Sequence, residues 1–150
     1  MGVELVPNGS YGANMPNVPR PLRKVIFSLV NTIIKLRGGR ILTLTTTGAK
    51  SGNEHSVPLG WFPDGDNAWL IVASAGGAAK HPAWYFNLAR NPDKVWIEVD
   101  NRKLQVQAES LKDAAYDKAW NQIVAEAPNY GPYKEKTDRH IPVIRLTPKN

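Results

Sequence analysis

The chain contains no cysteine among its 150 residues. That excludes disulfides, thiolate metal sites and a cysteine nucleophile, and it suits a reducing compartment. Long apolar runs are missing too. The best candidate, Val25 to Leu36, covers about 12 residues, whereas a membrane-spanning helix needs about 20. The opening MGVELVPNGSYGANMPNVPRP lacks a basic stretch followed by an apolar run, so no secretory signal is read, and residues 1–20 are expected to form a flexible leader. Metal chemistry lacks its usual spacing, because His55, His81 and His140 are isolated and no HExxH or carboxylate cluster occurs. No G-x-S-x-G elbow supports a hydrolase, and no G-x-G-x-x-G follows a strand. These absences favour a cofactor that brings its own chemistry.

Acidic residues are lacking in one region. None lies between Glu4 and Glu54, while Arg20, Arg23, Lys24, Lys35, Arg37, Arg40 and Lys50 do, within a chain of formal net charge +6. Such a basic front third attracts a polyanion: nucleic acid, an anionic membrane surface or an acidic cofactor tail. Nucleic acid is disfavoured, because its recognition interleaves aromatics with the basic residues and the aromatics here fall mostly in the acid-containing remainder. With 42% hydrophobic and 21% charged residues the chain is an ordinary globular one, and its length predicts a single domain over residues 21–150.

Between Pro21 and Arg37, Leu22, Val25, Ile26, Leu29, Ile33 and Leu36 recur at helical spacing, and Gly38-Gly39 ends the pattern. The broad apolar stripe suits core packing or a membrane interface. Three strands follow: RILTLTTT; a run from His55 to Phe62 containing Pro58, which implies an edge or a bulge; and AWLIVAS, apolar enough to be central. PAWYFNLARNP reads as a short helix. KVWIEV and KLQVQAES form a hairpin around Asp100-Asn101, Ser110 and Asp113 approximate a capping box for the helix LKDAAYDKAWNQIVAEA, and HIPVIRLT supplies a last strand. Short turns join consecutive strands, so a mostly antiparallel sheet of about six strands is expected, an α+β fold whose strands curl into a barrel.

Three segments carry chemistry. Thr47-Gly48-Ala49-Lys50-Ser51-Gly52 is a turn whose backbone N–H groups and Lys50 can cradle an anion. Ser74-Ala75-Gly76-Gly77 places small residues before a helix N-terminus, where planar rings and anions approach closely. The helix beyond it carries Trp84, Tyr85, Phe86 and Asn87, in which Trp84 would line a ring site and Asn87 bond its edge. Asn129-Tyr130-Gly131-Pro132-Tyr133 offers two phenols able to donate protons, with Asp138 and Arg139 fixing that loop.

The succession LTTTGAKSG, VASAGGAAKHPAWYFNL and NYGPYKEKTDRHIPV, over about Ile41 to Leu146, resembles the deazaflavin-dependent nitroreductase family. The resemblance implies a split β-barrel of the FMN-binding type and the reduced deazaflavin coenzyme F-420 as hydride donor. It assigns Ala49, Lys50 and Ser51, with His55 nearby, to the coenzyme's phosphate region. Val72, Ala73, Ser74 and Ala75 would run past the ring system, and Ala83, Trp84, Tyr85, Phe86 and Asn87 would line its other side. Tyr130 matches the proton donor and, with Ser74 and Tyr133, the substrate pocket. Arginines common in the family are replaced by Ala49 and His55, and tyrosines of the nitroreductase subgroup by Gly60 and Ala127, which points to a reductase with a different acceptor.

The function expected is therefore hydride transfer to an electron-poor small molecule: a quinone, an activated enone or a nitroaromatic. Alternatives are a split-barrel oxidoreductase holding FMN or haem, and a non-catalytic lipid-binding module. The expected location is cytoplasmic, with peripheral membrane contact through residues 21–37, where lipid-soluble quinones reside.

Overall fold

A computed structural model describes residues 2–12 and 40–149. The expected helix at 21–37, and with it the proposed membrane contact, lies outside the described residues. The strands are β1 (Ile41–Thr47), β2 (Glu54–Gly60), β3 (Phe62–Pro63), β4 (Trp69–Val72), β5 (Trp96–Val99), β6 (Arg102–Ser110) and β7 (Val143–Pro148), and the helices are α1 (Ala83–Arg90), α2 (Asp113–Glu126) and α3 (Tyr133–Lys136). The strands form one sheet in the order β2-β1-β5-β6-β7-β4-β3, antiparallel at every pairing. This is the curled, mostly antiparallel split barrel expected, with seven strands rather than about six. Among the described residues no helix is long and apolar enough to cross a membrane.

Period-two patterning sets the sheet's two faces. Leu42 and Leu44 of β1, Ile97 and Val99 of β5, and Val106 and Ala108 of β6 point into a core that α1 closes with Trp84, Tyr85 and Leu88. In β4, Trp69 and Ile71 join that core, while Leu70 and Val72 point to a second one, where α2 packs Tyr116, Ala119, Trp120 and Ile123 against Phe62 and Val143. The unbroken apolarity of β4 thus reports burial on both faces rather than a place at the sheet's centre. Each of these large side chains contributes about 1.5–3 kcal/mol on leaving water.

Several local expectations are met. Pro58 sits in β2, which is an edge strand, where a missing N–H is tolerated. Asp100 and Asn101 both adopt positive φ, 52° and 63°, as a two-residue hairpin turn requires. Others change. The run from His55 to Phe62 breaks at Trp61, whose N–H donates to the Arg40 carbonyl at 3.1 Å, so β3 becomes a separate short strand. The capping box does not form: α2 begins at Asp113 after Lys112 with no side-chain cap, and the Ser110 hydroxyl instead accepts the Glu4 N–H.

Residues 2–12, expected within a flexible leader, are docked along the barrel. Val3 and Val6 pack on the first core. The Gly2 carbonyl accepts the Ser110 N–H, and the Gly9 N–H donates to Ala79 at 2.7 Å. Asp138 accepts the N–H groups of Ser10 and Tyr11. A side chain on Gly12 would collide with the backbone of Ala78 and Ala79, which marks how closely the segment crosses that loop.

Candidate functional site

The turn between β1 and β2 meets the start of α1, and the gap between them is a cleft of about 630 Å³. Its walls are Thr46, Gly48, Ala49, Lys50, Ser51, His55, Val57, Ala83, Trp84, Phe86 and Asn87. Eight residues expected at a cofactor site are thereby brought together: Ala49, Lys50, Ser51, His55, Ala83, Trp84, Phe86 and Asn87. Gly48 was anticipated as part of the anion-cradling turn, whereas Thr46 and Val57 were not; the signal available for Val57 was the period of two that puts it on the same face of β2 as His55. No carboxylate lines the cleft, Lys50 stands exposed at its rim, and Val57, Ala83, Trp84 and Phe86 make its walls largely apolar.

The turn is built by short-range hydrogen bonds. Gly48 donates to the Asn53 carbonyl, Gly52 donates to the Gly48 carbonyl, and the Asn53 N–H donates to Ser51 Oγ. A Cβ at position 48 would strike Ser51 Oγ and come within 3.0 Å of His55 Nε2, so a side chain there would displace Ser51 and His55. Ser51 Oγ itself lies 3.4 Å from His55 Nε2. Among the described residues, only the N–H groups of Lys50 and Ser51 in this turn are left pointing elsewhere, so the anion nest is smaller than the sequence suggested.

Asn87 takes a different part from the one expected. It is buried, 8% exposed; its Oδ1 accepts the Ala49 N–H at 2.9 Å and its Nδ2 donates to Thr46 Oγ1 at 3.1 Å. Both polar ends fix the turn, so neither is directed at a ring edge. Asn91 adds a bond from Nδ2 to the Thr47 carbonyl. Tyr85 faces away from the cleft altogether: it is fully buried in the first core, and its hydroxyl donates to the Glu4 carbonyl.

Val72 and Ala73 are also core residues, and Ser74 and Ala75 are half-buried on the loop after β4. That loop carries two left-handed residues, Ala75 at φ 46° and Gly77 at φ 84°. It abuts α3, where a Cβ on Gly77 would lie 3.1 Å from Lys136 Cβ and 3.5 Å from the Tyr133 carbonyl.

Tyr130 and Tyr133 do not line the cleft. They form a second cluster with Phe62: Tyr130 meets Phe62 edge-on at 5.7 Å and Tyr133 at 5.3 Å. The Tyr130 hydroxyl approaches Gly60, where a Cβ would sit 3.8 Å from it. Burial first, then the neighbouring Tyr133, push the Tyr130 phenol above its ordinary value. β2 links the two clusters. His55 at the cleft and Gly60 at the tyrosines are five residues apart on one strand, roughly 16 Å at about 3.3 Å per residue, and so on opposite faces of it.

A second cleft of about 630 Å³ lies at the β5–β6 hairpin, lined by Arg40, Trp61, Glu98, Asp100, Arg102 and Lys103 among others. It gathers none of the expected site residues. Among the described residues no group of three histidines or carboxylates could hold a metal ion.

Residues 27–148 match the family model described as F-420H(2)-dependent quinone reductase. An F-420H(2)-dependent quinone reductase of Mycobacterium tuberculosis is 44% identical over 110 residues, covering 71% of this chain and 72% of the relative. Among solved structures, an F-420-H2-dependent reductase, FDR-A, superposes with a TM-score of 0.63 at 39% identity, covering 71% of this chain and 93% of that one. A chain described as a domain-swapped dimer superposes at 0.64 with 34% identity, covering 82% and 98%.

Proposed function

The chain belongs to the F-420H(2)-dependent quinone reductase family, and from that premise we propose that it reduces a quinone-class acceptor by two electrons with the reduced deazaflavin coenzyme as donor. The observation that carries the reading is the acid-free cleft, basic at its rim and apolar on its walls. A molecule with an anionic phosphate and glutamate tail and a flat ring system matches that donor set. Bound there, the coenzyme supplies a hydride.

The remaining work falls to the chain. The Lys50 ammonium and the N–H groups of Lys50 and Ser51 hold the phosphate, with the turn kept in shape by Asn87. Ala49 and His55 flank that region, and Ala83, Trp84 and Phe86 exclude water from it. The loop at Ser74 and Ala75 would support the ring, and Tyr130 would face the acceptor. The Tyr130 phenol, protonated at neutral pH as any phenol of ordinary acidity is, gives its proton to the acceptor oxygen and regains one from solvent. Hydride plus proton converts quinone to hydroquinone, so atoms and charge balance. Tyr133, edge-on to Tyr130, and Gly60, beside the Tyr130 hydroxyl, shape the acceptor's side. Activated enones and nitroaromatics share the electron-poor character and form the finer part of the proposal.

The test is acceptor-dependent oxidation of the reduced coenzyme with menadione, cyclohexenone and a nitroaromatic in parallel. Wild type turns over at least the quinone, and Tyr130→Phe lowers kcat by about 10²-fold, the lower range for a general acid, with coenzyme affinity unchanged. No turnover with any acceptor refutes the proposal.

A further inference from the structure

Arg139 lies between α3 and β7, 4% exposed, and among the described residues no carboxylate lies within ion-pair distance of it. The neighbouring Asp138 turns instead to the N–H groups of Ser10 and Tyr11. A buried cation without a counter-ion is costly, so what it does contact matters. Its Nε donates to the Ala78 carbonyl at 2.9 Å, Nη1 to the Ala73 carbonyl at 2.8 Å and Nη2 to the Ser74 carbonyl at 2.6 Å. Nη1 also donates to His81 Nδ1 at 2.8 Å.

These carbonyls bracket the strained part of the loop after β4, where Ala75 and Gly77 have φ of 46° and 84°. An alanine in the left-handed region persists only where its surroundings fix it, and the guanidinium is the group that closes on both sides of it. His81 completes the arrangement. With Nδ1 accepting from Arg139, its proton sits on Nε2, which lies 2.9 Å from the Val6 carbonyl and 3.0 Å from that of Pro7. One neutral tautomer thus joins the docked leader to the loop. The titratable groups facing the ring are Arg139 and His140 from the segment before β7 and Tyr85 from α1; the Glu4 carboxylate is turned to Lys112.

We propose that Arg139 is a positioning residue for the reaction: by clamping the carbonyls of Ala73, Ser74 and Ala78, with His81 as its neutral partner, it sets the loop against which the deazaflavin ring lies. The inference rests on the proposed function for the ring's location. The phosphate end is held by a different segment, the β1–β2 turn, so loosening the clamp separates chemistry from affinity. A misplacement of about 1 Å at a reacting centre lowers rate by about 10²-fold.

The experiment compares wild type, Arg139→Lys, Arg139→Ala and a control, Lys112→Met, which removes the leader's ion pair with Glu4 without touching the loop. Three readouts are taken: the Kd for the coenzyme by fluorescence titration, kcat with menadione, and amide hydrogen exchange of residues 73–79 in protein without coenzyme. Arg139→Lys keeps the charge but not the fork of donors. It is expected to speed exchange in 73–79, raise Kd less than about threefold and lower kcat about 10²-fold, while Lys112→Met leaves kcat unchanged. Guanidinium chloride at millimolar concentration is expected to restore part of the kcat of Arg139→Ala. Wild type that does not oxidise the reduced coenzyme overturns this inference together with the proposed function. Active wild type with unchanged exchange and kcat in Arg139→Lys overturns the inference alone, as does a parallel loss of Kd and kcat.

Discussion

Replacing Asn87 by alanine tests whether the β1–β2 turn is held from α1. The side chain makes two hydrogen bonds, to the Ala49 N–H at 2.9 Å and the Thr46 hydroxyl at 3.1 Å, and it is 8% exposed. Each bond is worth about 1 kcal/mol net, and a buried partner left unpaired adds about 1–3 kcal/mol. Thr46 is buried at 2% exposure while Ala49 is half-buried, so only the threonine hydroxyl incurs most of that penalty. The total comes to about 3–5 kcal/mol. For a chain of this length about 1 kcal/mol moves Tm by roughly 2–4 °C, giving a fall of roughly 6–20 °C in a thermal scan. Asn87→Asp separates stability from binding. Its carboxylate still accepts from Ala49, and the Thr46 hydroxyl can rotate to donate, so Tm falls less than in the alanine variant. A negative charge then borders the cleft, and titration with the deazaflavin coenzyme is expected to show affinity at least tenfold weaker. A Tm within about 2 °C of wild type for Asn87→Ala would refute the reasoning.

Lys50→Ala is expected to weaken coenzyme binding about tenfold at low salt and less at high salt, with Tm within about 2 °C of wild type, because an exposed charge contributes little to stability; an effect independent of salt would count against an anionic ligand at the turn. Gly48→Ala is expected to destabilise by about 1–3 kcal/mol through collision with Ser51 and His55, read as a lower denaturant midpoint, and an unchanged midpoint would contradict the close approach. Burial, then Arg139, hold the His81 imidazole below its ordinary 6.5, and burial lowers His140 likewise. The unfolded chain therefore binds more protons than the native one just below pH 6.5, so the stability these residues contribute is complete above that value and is lost as pH falls through it. Tm measured from pH 7.5 to 5.5 should decline, and a flat profile would contradict the neutral His81.

What the sequence made legible followed from local rules. RILTLTTT marked a strand, Pro58 an edge or a bulge, and Asp100-Asn101 a hairpin turn, because each property resides in neighbouring residues. The docking of residues 2–12 was not legible, since Val6 is held by Tyr85 and Ser10 by Asp138, partners far along the chain that no local pattern specifies. The break at Trp61 likewise depends on a bond to Arg40 across the sheet. At the site, the glycine- and lysine-bearing turn and the aromatic helix were recognisable as separate motifs, but their apposition across one cleft was a matter of tertiary placement. His81 could be seen only as an isolated histidine, and Arg139 was expected to fix the Asn129–Tyr133 loop, whereas it bonds the carbonyls of Ala73, Ser74 and Ala78, because the signal that joins the two residues is burial.

Helix geometry explains why the run from Ala83 to Asn87 divides as it does. Successive helical residues turn by about 100°, so five in a row sweep through about 400° and cannot all face one cleft. Ala83 and Asn87, four apart, share the side toward the β1–β2 turn, and Asn91, at the C-cap, continues that row to the Thr47 carbonyl. Tyr85 and Leu88, three apart, share the opposite side, fully buried in the first core, where the Tyr85 hydroxyl meets the leader. Trp84 borders both, being a wall of the cleft and a member of the core. The helix therefore joins two surfaces, the β1–β2 turn on one side and the docked N-terminal segment on the other. The polar residues among its aromatics serve that junction: an amide at position 87 satisfies the turn's backbone, which an apolar residue of the same size would leave unpaired.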